Sequence, residues 1–125
     1  MSVSFTEREL DLMSVLWERG SGTVSEVLEA LEDDLAYTTV LTTLRNMEEK
    51  GHVHHEEEGR SYRYYPDVPR EAAGRNALRR VVNTIFGGSR ERLLMQLVSD
   101  DELSDEELRR LRRFVEEELE EGEER

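Results

Sequence analysis

Residues 37–47 read YTTVLTTLRNM, and their apolar and polar side chains separate onto two faces of a helix. Threonine is a mediocre helix former, so a face that meets only water would more often carry Glu, Lys or Arg. Hydroxyl, amide and guanidinium groups hydrogen-bond base edges and phosphates, which predicts a DNA recognition helix; a solvated, threonine-rich face is the alternative. The packing face comprises Tyr37, Val40, Leu41, Leu44 and Met47, and the acid-free face comprises Thr38, Thr39, Thr42, Thr43, Arg45 and Asn46.

Two helices are predicted before this stretch, and each begins with a capping box. Thr6 and Glu9 form the first capping box, which predicts a helix that begins near Glu7 and runs to Gly20. Thr23 with Glu26 opens a second, shorter helix. Its apolar residues follow the i, i+3, i+4, i+7 spacing of a helix that packs on one side: Val24, Val27, Leu28 and Leu31.

A β-hairpin is predicted after the recognition helix, from the strand-like residues 52–57 and 61–66 and the turn EGR between them. Arg60 lies at its tip, and Tyr62 and Arg63 continue its second strand. Three helices and a hairpin are the order of a winged helix-turn-helix, whose third helix enters the major groove while the wing reaches the neighbouring backbone or minor groove. The predicted fold is therefore mainly α with a small β-hairpin, and Arg60, Tyr62 and Arg63 are predicted DNA contacts.

The charge of the chain is −13, from 30 acids and 17 bases in 125 residues, which argues at first against a nucleic-acid partner. Acids are nevertheless absent from residues 35–47 and 59–66, where the sequence is polar, and from the longer stretch 72–90. If acids were missing only because these residues are buried, the stretches would be apolar throughout, and residues 35–47 and 59–66 are not. Their polar surface is therefore free of negative charge for another reason, which predicts an anionic partner. Three arginines of the longest stretch are expected to pair with the chain's own carboxylates rather than with DNA: Arg75, Arg79 and Arg80.

Pro66 and Pro69 form a stiff break that divides the chain. Residues 1–68 are predicted to be a winged helix-turn-helix DNA-binding domain, and residues 69–125 a helical dimerisation domain. A lone core of fewer than ~70–80 residues rarely suffices for stability, so the second domain is predicted to form a homodimer. The alternative is that its helices fold back on the winged helix in a monomer.

The second domain is predicted to contain three helices. The first ends at two glycines, Ser89 caps the second, and a capping box of Ser104 with Glu107 opens the third. The highly charged residues 116–125 are expected to fray. The predicted dimerisation stripe comprises Val81, Val82, Ile85, Leu94, Leu97, Leu108, Leu111 and Val115.

Six motifs occur in a specific order and spacing along the chain, although no single one is decisive. They are TEREL from Thr6, VLW from Val15, GTVSEV from Gly22, YTTVLTTLR from Tyr37, EKG from Glu49 and GRSYRYYP from Gly59. Together these motifs resemble the BlaI/MecI penicillinase-repressor family of winged-helix transcriptional regulators, and the match covers the whole chain.

The resemblance implies a homodimeric repressor on a palindromic, double-stranded operator, with C-terminal helices for dimerisation. It also implies that a membrane sensor-protease relieves repression by cleaving the C-terminal part, here around Gln96 and Leu97. A copper-responsive branch of the family uses C-terminal cysteines, and this chain has none.

Other classes of protein are disfavoured by the sequence. The chain lacks a secretory leader pattern and the ~20 consecutive apolar residues of a membrane span, so a cytoplasmic protein without membrane insertion is expected. Two of the three histidines, with Glu56 beside them, are too few ligands to predict a metal site, so no metal or cofactor is predicted. The sequence also contains no catalytic constellation, so no enzymatic activity is predicted. The other functions left open are a ligand-gated winged-helix regulator and an acidic protein-interaction module. The histidines are His52, His54 and His55, with His52 and His54 expected on one strand face.

Overall fold

The computed structural model describes residues 4–124, which form six helices and three strands. The first compact unit of the chain ends at Leu78 and the second unit begins at Arg79, so the boundary lies inside a helix. In chain order the elements are α1 (Glu7–Arg19), β1 (Gly22–Thr23), α2 (Val24–Ala30), α3 (Tyr37–Glu49), β2 (Val53–Glu58), β3 (Ser61–Pro66), α4 (Arg70–Ile85), α5 (Arg90–Ser99) and α6 (Asp105–Glu124).

Both predicted capping boxes in the first unit are confirmed. The Glu9 amide donates to the Thr6 hydroxyl at 3.1 Å, and the Thr6 amide donates to the Glu9 carboxylate at 2.9 Å. At the start of α2, the Glu26 amide donates to the Thr23 hydroxyl at 3.2 Å, with the reciprocal contact at 3.5 Å. Each helix therefore begins where the local sequence satisfies its first free amides.

The hairpin joins a third strand that sequence analysis missed. β2 and β3 pair in register from Val53 opposite Pro66 to Glu58 opposite Ser61, so β2 begins one residue later than predicted. The turn between them has two residues, and Gly59 takes its first position with φ +63°. The short strand β1 pairs with the other side of β3, giving an antiparallel sheet in the order β1-β3-β2.

The core of the first unit lies between α1, α2, α3 and the sheet. The indole of Trp17 donates to the Val68 carbonyl at 2.7 Å, and Ala73 at the start of α4 is buried in the same core. Packing therefore continues past the predicted break at Pro66–Pro69. The fully buried side chains are Leu12, Met13, Leu16, Val27, Val40, Leu44, Met47, Val53 and Tyr64.

The second unit contains the predicted helices. Ser89 accepts from the Arg92 amide at 3.1 Å at the start of α5, and Ser104 and Glu107 form the third capping box. The prediction that residues 116–125 fray is wrong for the described part, because α6 continues to Glu124; Arg125 lies outside the described residues. Glutamate and leucine are good helix formers, and in this segment their propensity outweighs the repulsion between charges. No helix within residues 4–124 is long and apolar enough to cross a membrane.

An apolar stripe is exposed on the helices of the second unit. Val82, by contrast, is only 3 % exposed in the single chain, so its assignment to an exposed dimer stripe is wrong. Val81 and Leu108 are half-buried, while Ile85, the most open of the stripe, is 70 % exposed. The division into a DNA-binding domain, 1–68, and a dimerisation domain, 69–125, stays a prediction. Exposed members of the predicted stripe are Ile85, Leu94, Leu97, Leu111 and Val115, and Met95, Val98, Phe114 and Leu119 extend the apolar surface.

Candidate nucleic-acid interface

The polar face of α3 is open to solvent while its opposite face is packed into the core. Val40, Leu44 and Met47 are fully buried, which holds the helix in place. The Thr43 hydroxyl donates its proton to the Thr39 carbonyl at 2.8 Å. The Thr43 side chain can therefore contact a partner only through its methyl group or as a hydrogen-bond acceptor. Among the predicted contacts, Thr38, Thr42, Arg45 and Asn46 are exposed and Thr39 and Thr43 are half-buried.

The first turn of α3 departs from the predicted pattern. Tyr37 belongs to the apolar arc of the helix but is 50 % exposed, so its assignment to the packing face is wrong. It begins the helix directly after the N-cap Ala36, whose side chain makes no capping hydrogen bond. Tyr37 therefore adds an exposed aromatic side chain next to Thr38, at an end of the helix without an acidic residue.

The other end of α3 is held by a contact that the sequence did not suggest. Gly51, with φ +81°, closes the helix, and the His52 amide donates to the Met47 carbonyl at 2.9 Å. Lys50 then places its ammonium group 2.8 Å from the carboxylate of Glu9, a side chain that is only 5 % exposed. The single lysine of the chain thus ties α3 to the beginning of α1.

Glu9 stays ionised in this contact. Burial opposes its charged form, but hydrogen bonds from Lys50 and from the Thr6 amide outweigh burial and lower the pKa of Glu9 below its usual value. One carboxylate therefore caps α1 and also anchors α3.

Arg60 and Tyr62 of the hairpin are exposed, as their predicted role requires. Arg60 lies at the turn and Tyr62 is 41 % exposed. The ring of Tyr62 packs against His55, with 4.3 Å between ring centroids. These two residues extend the candidate interface from α3 to the hairpin.

Arg63 has a different role from the one predicted. Its guanidinium group lies 2.9 Å from a carboxylate oxygen of Glu26 and 2.9 Å from one of Glu58, and also donates to the Ser21 hydroxyl at 3.2 Å. These contacts, with Glu58 first, raise the pKa of Arg63 further above its already high value. All five of its N–H donors face protein acceptors, so Arg63 fastens the hairpin to the start of α2 and is not free to contact phosphate.

The histidines lie apart from one another instead of forming a cluster. His54 is hydrogen-bonded to Asp67 at 2.6 Å, and His55 to Glu48 of α3 at 2.6 Å. His52 is buried and precedes β2, so the expectation that it lies on the strand that carries His54 is wrong. No group of three His, Cys, Asp or Glu within the described residues could hold a metal ion.

Acidic side chains limit where a polyanion can approach. Glu56, Glu57 and Glu58 are exposed along β2, which is an edge strand of the sheet. The polar face of α3 and the two turn residues Gly59 and Arg60 carry no acid, and Glu58, which directly precedes the turn, is paired with Arg63. A nucleic acid that contacted this unit would therefore be directed to α3 and the tip of the hairpin, and away from the outer edge of β2.

Comparisons with known proteins agree with this architecture. A family model described as "Penicillinase repressor" matches residues 5–117. The "Penicillinase repressor" of Bacillus licheniformis is 26% identical over 114 residues, which cover 90% of this chain and 89% of that protein. The solution structure of the DNA binding domain of the repressor BlaI is 28% identical, with a TM-score of 0.51, and the match covers 58% of this chain and 93% of that chain.

A second solved structure is the Bacillus licheniformis BlaI monomeric form in complex with the blaP half-operator. It is 27% identical, with a TM-score of 0.50, and the match covers 58% of this chain and 90% of that chain. The predicted fold class is confirmed: six helices accompany a small antiparallel sheet, and the structural neighbours are winged-helix proteins.

Proposed function

Because this chain belongs to the penicillinase repressor family, we propose that it represses transcription as a homodimer bound to a palindromic operator. One observation carries the proposal: the exposed, acid-free face of α3 in a chain whose net charge is −13. A surface that only needed solubility would carry acids here as it does elsewhere. Hydroxyl, amide and guanidinium groups are instead the groups that hydrogen-bond to bases and phosphates.

In this proposal α3 reads base edges in the major groove. Thr42, Arg45 and Asn46 project from its exposed face, and Thr39 lies half-buried beside them. Threonine can meet a thymine methyl group, while arginine and asparagine can each form paired hydrogen bonds with a purine. The family relative solved with a half-operator supports DNA as the ligand of this fold.

The hairpin contributes contacts to the DNA backbone. Arg60 is the exposed base at its tip, whereas Arg63 holds the hairpin against α2 through Glu26. Phosphate contacts fix the position of the protein without reading sequence. In this proposal Arg60 contributes to DNA affinity and its salt dependence, and α3 provides the sequence specificity.

Dimerisation supplies the second half-site contact. The exposed apolar side chains of α4, α5 and α6 form a surface that water alone does not stabilise, and a second copy can cover it. Two recognition helices held about 34–36 Å apart, or a multiple of that, match successive turns of DNA. A single acidic winged helix makes too few phosphate contacts to bind tightly by itself.

Relief of repression by a membrane sensor-protease fits the position of Gln96 and Leu97. Both lie in α5, which contains no buried residue among its ten, and Leu97 is 51 % exposed. A helix with so little buried surface opens locally at small cost, which a protease requires. A cut there would separate α6 from the rest of the chain and remove part of the dimer surface.

Fluorescence anisotropy with the DNA upstream of the chain's own gene, at several salt concentrations, tests the proposal. Thr39→Ala and Thr42→Ala are each expected to weaken operator binding by about 1–3 kcal/mol if the side chain contacts a base. Thr84→Ala, an exposed threonine on α4, is the matched control and should bind as the parent does. Unchanged affinity of both α3 variants would contradict the recognition-helix assignment, and no affinity of the parent for DNA would favour a protein-interaction module.

A further inference from the structure

One face of α4 carries Arg75 and Arg79, and Arg80 lies about 100° further round the helix; the described part of the chain does not neutralise this positive charge. Arg75, Arg79 and Arg80 are exposed, lie in the acid-free stretch 72–90, and form no ion pair within residues 4–124. The expectation that they pair with the chain's own carboxylates is therefore wrong for the described residues. Like charges four residues apart on a helix, such as Arg75 and Arg79, repel each other. An anionic partner from outside the chain would remove that repulsion.

The end of α6 has the opposite character. Residues 116–124 contain seven glutamates and no base, yet they remain helical. The C-terminal end of a helix is the negative end of its dipole, so acids there repel one another and also oppose the dipole. Within the described residues the ion pairs of α6 join Arg110 to Glu106 and Arg112 to Glu116, which leaves the last two turns uncompensated.

Each charged surface lies beside an exposed apolar side chain on the same helix. Arg75 precedes Leu78, which is 49 % exposed, by three positions, so the two side chains are neighbours. Glu116 and Glu123 stand three positions before and four after Leu119, which is 63 % exposed. When the apolar stripes of two helices pack together, the residues that flank the stripes face each other, as they do along the edges of a coiled coil.

Resting on the homodimer proposed above, we infer that the arginine face of α4 in one protomer docks on the acidic end of α6 in its partner. A second copy of this chain is favoured over DNA because the opposite charges and the apolar side chains occur together on the same two helices. A DNA contact would require the arginines but would not account for a glutamate-rich helix end. Charge pairs at the rim of an interface mainly set specificity and register, so this contact selects the alignment of the two protomers.

Sedimentation velocity of the full-length protein at about 50 mM and 500 mM NaCl tests the inference, because the higher salt screens exposed charges. Arg75→Glu with Arg79→Glu should raise the dimer Kd about tenfold at low salt and much less at high salt. Adding Glu116→Lys and Glu123→Lys should restore association at low salt. The control, Arg8→Glu with Arg19→Glu, changes the net charge equally at two exposed positions of α1, outside the predicted dimer surface, and should stay close to the parent.

Three results would overturn the inference: an unchanged dimer in the α4 variant, an equal loss in the control, or no recovery when the α6 substitutions are added. An unchanged dimer with weaker DNA binding would assign these arginines to DNA. A parent chain that sediments as a monomer at every concentration would refute the homodimer itself together with the docking. The rescue by oppositely charged substitutions separates a lost contact from a misfolded variant.

Discussion

Replacing Lys50 by methionine removes the ammonium group that ties α3 to α1 and keeps most of the aliphatic part of the side chain. The Glu9 carboxylate is 5 % exposed and loses its partner at 2.8 Å, although it keeps the Thr6 amide at 2.9 Å. A hydrogen bond to a charged group contributes about 1.5–3 kcal/mol. Lys50 itself is 48 % exposed, so water replaces part of the contact. We therefore expect the variant to lose about 1–2 kcal/mol of unfolding free energy.

Urea denaturation followed by the fluorescence of Trp17 measures this loss. Trp17 is the single tryptophan of the chain and donates to the Val68 carbonyl, so it reports on the first unit. Arg19→Met is the control, because its pair with Glu26 is a longer contact of 3.6 Å with a 44 % exposed arginine. That variant should lose less than about 0.5 kcal/mol.

A double-mutant cycle with Glu9→Gln identifies the pair as the cause. Glutamine at position 9 can still accept a hydrogen bond from the Thr6 amide, but it is uncharged and requires no neighbouring cation. The coupling energy between Glu9→Gln and Lys50→Met should therefore be about 1 kcal/mol. The acid limb gives a second readout, because the lowered pKa of Glu9 contributes stability that is present above pH 4.5 and is lost as the pH falls through the folded value. Lys50→Met should therefore make the unfolding free energy less dependent on pH in this acid range. Zero coupling, or a loss no larger than that of Arg19→Met, would refute the reasoning.

Three further predictions concern the hairpin tip, the dimer surface and a buried histidine. Arg60→Ala should weaken operator and random DNA alike and make the slope of log affinity against log salt shallower by about one unit; a loss confined to the operator would place Arg60 at a base edge instead. Leu111→Glu should weaken the dimer by about 2–4 kcal/mol, because a charge must be desolvated without a partner, and should cost operator binding; a dimer of parental strength in sedimentation equilibrium would contradict this. Burial lowers the pKa of His52 below 6.5, so its neutral form contributes stability above pH 6.5 that is lost as the pH falls towards the folded value. His52→Phe should remove that part of the pH dependence of urea midpoints, and an unchanged dependence would rule His52 out as its source.

The elements of this protein could be predicted where their determinants lie close together in the chain. Thr6 and Glu9 are three residues apart, and the turn at Gly59 joins adjacent strands, so each pattern is satisfied by its own neighbours. The two faces of α3 follow from helical periodicity in the same way. The composition of the acid-free face predicts an anionic partner, and this stays a prediction.

Contacts between distant residues were decided by tertiary structure. The pair of Lys50 with Glu9 spans 41 positions, and that of Arg63 with Glu26 spans 37, and neither has a local signature. The sequence therefore predicted Arg63 as a DNA contact, because an arginine beside tyrosines can bind phosphate. In the fold, a carboxylate from another element takes its hydrogen-bond donors instead. The two-residue strand β1 escaped notice for the same reason, since a strand that short exists only through its pairing with β3. Short-range patterns establish helices and turns, whereas the availability of a charged side chain depends on what the fold brings to it.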